Sequence, residues 1–207
     1  MTSNKHVLLA DLASEVAANA ADHLAAKGWQ ITRLSGRLSG GQADADYSCD
    51  LQNRHAVVQM LSDIEKERGP IYGLFFATPF NSPGKGFLNT SLDEWQQRLD
   101  AWLGQATNIC YACGNLMLPR KEGRIMVLTP DFKAVEGDCT VEATAAGSLH
   151  GFLKSFGAEV AENLICVNGI YASLPFDFEA INATCDYLLG VGGDYVSAQL
   201  VSIAGKG

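Results

Sequence analysis

The sequence predicts a doubly wound α/β fold on a parallel sheet, and three observations carry that expectation. Short apolar runs of strand length alternate with helical segments along the chain, the order that puts helices on both faces of such a sheet. Cap and stop signals separate the segments at almost every junction. The stretch from Gly123 to Ala172 reads as buried strand, long helix and buried strand, a right-handed crossover.

In chain order, His6 to Ala10 is a short apolar strand. Ala13 to Lys27 is an alanine-rich helix that Gly28 stops. Gln30 to Leu34 is the next strand, Ser35 to Asp46 a loop, and Tyr47 to Leu51 a third strand. Asn53 caps a helix ended by Gly69 and Pro70. Gly73 to Ala77 is buried strand, and Asn81 to Asn89 is a Gly- and Pro-rich loop. Ser91 with Glu94 forms a capping box for a helix reaching about Leu118.

Arg124 to Leu128 is then a strand, followed by a turn segment with Pro130, Asp131 and Gly137. The long helix after it carries an apolar stripe at Ala145, Leu149, Phe152, Phe156 and Val160, the spacing of one helical face. A second stripe, Ala143, Gly147 and Gly151, holds tiny side chains four residues apart. Each interior glycine costs a helix about 1 kcal/mol against alanine. Two in one row predict a second backbone packed close by, so this helix is expected to be buried on more than one side. Leu164 to Val167 is a strand, Phe178 to Leu189 a helix, and Ala198 to Ala204 the last strand.

The 207 residues, 47% hydrophobic and 18% charged, suit one domain with a full core. A net charge of −8 argues against nucleic acid, whose phosphates need clustered Lys and Arg. No apolar run approaches a membrane span and no signal region opens the chain, so neither membrane nor secretion is expected. Six cysteines without such a signal fit a reducing cytoplasm. Cys110 and Cys113 form a Cys-x-x-Cys, but on a helix and without a second pair for zinc, so they read as buried small hydrophobes and no metal is expected. The four histidines are scattered, and no P-loop, nucleophile elbow or zincin motif occurs.

Leu149-His150-Gly151-Phe152-Leu153-Lys154-Ser155, Glu159 and Val167-Asn168 match in order the second half of a short-chain dehydrogenase/reductase, and residues 194–200 resemble that family's closing strand. The resemblance covers nearly the whole chain and implies a single Rossmann-like domain. It also implies where a site should be, and there the residues depart. The family's three dinucleotide-binding glycines fall on Asp11, Glu15 and Ala17, which puts carboxylates where phosphates would lie. Asp50 matches the acid that reaches the adenine ring, although an Asp at a strand end also makes turns. The Asn-rich turn after the fourth strand is replaced by Phe75 to Thr78, with Pro79 beyond.

In the family a Tyr exchanges the proton, a Lys four residues on lowers its pKa, a Ser holds the substrate oxygen and an Asn supports the relay. The Tyr position is Glu142 and the Lys position Ala146. The Ser position falls at Thr129-Pro130, and the Asn position on Trp102. The segment between Asn168 and Phe178 is too short for the usual substrate lid. The resemblance thus implies no bound cofactor and no catalytic residue. It leaves the surfaces that in this family make subunit contacts, here Ala143, Gly147, Gly151, Phe152 and Phe156. The expectation is a non-catalytic subunit in a hetero-oligomer with a homologous, catalytic short-chain dehydrogenase. The alternatives are a stand-alone ligand-binding protein using the vacated cleft, a residual enzyme with Glu142 as base, and a half-domain of a larger ketoreductase. The start at Met1 and the closing strand speak against the last.

Overall fold

The computed structural model describes residues 5–10, 15–36, 46–78, 86–131 and 139–206. Seven strands form one parallel sheet: β1 (His6–Ala10), β2 (Gln30–Gly36), β3 (Tyr47–Cys49), β4 (Ile71–Ala77), β5 (Gly123–Pro130), β6 (Ile165–Ala172) and β7 (Leu200–Ile203). Their order is β3-β2-β1-β4-β5-β6-β7, so the chain reverses direction across the sheet between β1 and β4. The helices are α1 (Glu15–Ala26), α2 (Arg54–Arg68), α3 (Leu92–Leu99), α4 (Gln105–Met117), α5 (Thr140–Val160) and α6 (Phe178–Leu189).

Every residue of the central strands β1, β4 and β5 is buried, because helices cover both faces of the sheet. On one face Leu8, Leu74, Phe76, Ile125 and Val127 pack against Leu61 of α2, Ile109 and Cys113 of α4, and Leu149 and Leu153 of α5. On the other, Val7, Leu9, Phe75 and Leu128 meet Ala17, Ala20 and Leu24 of α1 and Ile181 and Leu188 of α6. The alanines of α1 let it approach the sheet closely, and His23 Nε2 lies 3.0 Å from Asp186 Oδ2, tying α1 to α6.

Boundaries follow local chemistry. Gly28 and Gly69 end α1 and α2 at φ of +87° and +90°, a region where a Cβ would be strained. Asn53 accepts the Ala56 N–H and Ser91 accepts the Glu94 N–H, so both predicted caps form. The helix expected from Ser91 to Leu118 is interrupted by a five-residue π turn, Asp100–Gly104, between α3 and α4. Pro130, expected in a turn, ends β5 instead. At that level β4 has already stopped, Ala77 being paired with Leu128, so proline's missing N–H costs no ladder bond on that side.

Within this chain α5 buries one face. Ala145, Ala146, Leu149, Leu153 and Val160 face the sheet, while Ala143, Gly147 and Gly151 are exposed, and a Cβ on either glycine would have nothing within 4 Å. The glycine of α5 that does meet another backbone is Gly157, whose Cβ would lie 3.0 Å from the Ala198 nitrogen. Asn168 completes this closure: its Nδ2 donates to the Val196 carbonyl at 2.8 Å and its Oδ1 accepts the Gln199 N–H at 3.1 Å. Beyond β6, only residues 173–177 separate Ala172 from α6.

His6, buried at the start of β1, places Nδ1 3.0 Å from the Gly69 carbonyl and Nε2 2.8 Å from Thr32 Oγ1. A carbonyl can only accept, so Nδ1 carries the proton and neutral Nε2 accepts from threonine. Burial pushes the His6 pKa down and Arg68 adds to this, against the raising effects of the Gly69 carbonyl and Glu65. A base depressed in the folded state gives stability that is present above its unfolded value, near 6.5, and is lost as pH falls toward the folded value. Urea midpoints should therefore fall as pH is lowered below about 6.5, and His6→Gln should flatten that part of the profile.

Candidate functional site

In open parallel sheets ligands gather beyond the carboxyl ends of the strands, near the point where strand order reverses. Among the described residues, an ion pair and a large aromatic side chain lie at that edge. Glu142, in the first turn of α5, is 1% exposed, and it is ion-paired with Arg98, which reaches across from α3. A buried carboxylate is tolerated only with a counter-charge, and Arg98 supplies it. The pair fixes α3 against α5 where the chain next enters the π turn. Trp102, in that turn, is buried and among the largest side chains of the core. Ala146, one turn after Glu142, is buried and contributes only a methyl group.

A smaller polar cluster lies beside this pair. Thr129, buried at the end of β5, holds its Oγ1 3.2 Å from His150 Nε2 on α5, and the imidazole meets the Tyr171 ring edge-on at 4.7 Å between centroids. Ser173 Oγ donates to Asp131 Oδ2 at 3.3 Å across the ends of β5 and β6. Thr129 therefore spends its hydroxyl on His150, a contact the sequence reading did not anticipate.

The fold implies a nicotinamide dinucleotide, and the residues do not fit one. Glu15 opens α1 with an exposed carboxylate, where the helix's N-terminal N–H groups would meet phosphate. Ala17 is fully buried against the core, and Asp11 and Pro79 lie outside the described residues, as does Gly137. The Asp50 carboxylate accepts the Gln52 N–H at 3.0 Å in the turn before α2, the bland role open to an acid at a strand end. Thr78 turns both its N–H and its hydroxyl onto the Leu128 carbonyl, at 2.9 and 3.1 Å.

Other candidates close in the same way. All six cysteines are free thiols, and burial pushes Cys110 up to about 12 and Cys113 well above its usual value, so neither is a reactive thiolate. Among the described residues no group of His, Cys, Asp and Glu is placed to hold a metal, and no helix is long and apolar enough to cross a membrane. A cavity of about 330 Å³ lies at the opposite, amino edge of the sheet beside His6. Its cations Lys5, Arg68 and Arg120 pair with Glu122, Asp46 and Glu65. A groove of about 530 Å³ is lined by Phe87, Leu88, Leu92, Trp95 and Thr140.

Of the five predicted contact residues, Ala143, Gly147 and Gly151 point outward from α5. Phe152 and Phe156 are half-buried and stacked on one another, centroids 5.5 Å apart, and Phe156 sits over Gly114 of α4. Phe156 thus meets α4 within the chain, with Phe152 stacked on it. Arg98 is the residue that sequence reasoning missed. Its signal was indirect: a glutamate among Val141, Ala145 and Ala146 on a buried stripe demands a cation from elsewhere.

Comparison with known proteins agrees with this architecture. A family model described as enoyl-(acyl carrier protein) reductase matches residues 10–183. The short-chain reductase protein NovJ of Streptomyces niveus is 28% identical over 134 residues, 65% of this chain. The match spans 50% of that relative's length. Among solved structures, acetoin dehydrogenase YohF from Salmonella typhimurium superposes with a TM-score of 0.83 at 17% identity, covering 98% of this chain and 96% of that one. The crystal structure of gox2181 gives 0.83 at 14% identity, covering 98% and 95%. At such identities the likeness is one of fold.

If Arg98 is what permits Glu142 to be buried, Arg98→Met should cost about 3–5 kcal/mol of stability in chemical denaturation. The double variant Arg98→Met/Glu142→Leu should recover most of that loss, because it removes both charges together.

Proposed function

The chain belongs to the short-chain dehydrogenase/reductase superfamily, and from that membership we propose that it is a non-catalytic member, assembling with a homologous catalytic subunit that carries the nicotinamide cofactor. The observation that carries this reading is the Arg98–Glu142 pair, which occupies with a structural ion pair the position where the family keeps its proton-transferring Tyr. Several parts needed for hydride transfer are replaced by groups unsuited to it. Ala146 provides no ammonium, Trp102 fills space, and Glu15 opposes a pyrophosphate. Glu142 as a general base is a poor alternative, because its carboxylate is buried against a guanidinium.

What the chain keeps is a helix with an open face. Thr140, Ala143, Gly147 and Gly151 follow helical spacing along the outer side of α5, and small residues there allow a partner helix to approach closely. In this reading the subunit holds its partner's helices in the active geometry, a positioning role that needs no chemistry of its own. The pattern resembles the degenerate subunit of 2-(hydroxy(phenyl)methyl)succinyl-CoA dehydrogenase, whose partner carries NAD and the reaction. An equivalent arrangement, with a hydroxyacyl-CoA as the complex's substrate, is the form we propose here.

Because Gly147 and Gly151 have open space around them, each Gly→Ala change should stabilise the isolated chain by about 0.5–1 kcal/mol. The same changes should weaken assembly, and Gly147→Leu should abolish it. Co-expression with short-chain dehydrogenases encoded beside this chain, read by co-purification and NAD-dependent turnover, checks both. A chain that stays alone, with no dehydrogenase activity depending on it, would sink the proposal.

A further inference from the structure

We draw no further inference here: the strongest candidate, the apolar groove that Phe87, Leu88, Leu92, Trp95 and Thr140 line beside α3 and the start of α5, carries nothing because nothing in the structure shows what covers it.

Discussion

A carboxylate with 1% of its surface exposed has one requirement, a cation within contact distance, and much of the architecture at the carboxyl edge of the sheet follows from meeting it. Arg98 comes from the last turn of α3, and its guanidinium crosses to the first turn of α5. Arg98 and Trp102 are four residues apart, the spacing that shares a helical face, and Trp102 is buried in the π turn directly after α3. Helix α5 is then anchored at its start by Glu142, along its length by Leu149 and Leu153, and at its end by the close approach of Gly157 to the closing segment. In the reading proposed above, that space serves to hold the two helices together.

The two faces of α5 divide the molecule's properties. The inward face packs Leu149 and Leu153 into the core, and His150 of α5 meets Thr129 of β5. The outward face includes the small Ala143, Gly147 and Gly151 among exposed polar residues such as Thr144 and Ser148. Glycine in a helix costs stability and is retained where something else depends on it. Stability alone would favour alanine at both Gly147 and Gly151, since nothing in the chain forbids it.

Much of the fold was legible because its signals are local. Asn53, Ser91, Gly28 and Gly69 mark helix ends through their own hydrogen bonds and dihedral angles, and α6 runs from Phe178 to Leu189 as its periodicity indicates. The π turn was not legible, since the apolar period runs on through residues 100–104 without a Gly-Pro break. Strand ends such as Pro130 depend on where a neighbouring strand stops, which no local pattern records. At the site, substitutions of identity could be read: Glu142, Ala146 and Trp102 stand at the chemical positions. Their consequences could not. The Arg98 partnership spans 44 positions in sequence, and the exposure of Gly147 and Gly151 emerges only once Phe156 is seen to meet α4.

The claim that this edge of the sheet serves structure rather than hydride transfer can be tested without knowing any partner. Calorimetric titration of the purified chain with NAD(H) and NADP(H), followed by absorbance at the reduced nicotinamide band, reads it directly. The account predicts no saturable heat with either cofactor up to about 1 mM. Binding in the micromolar range, or reduction of the cofactor by any alcohol, would contradict it.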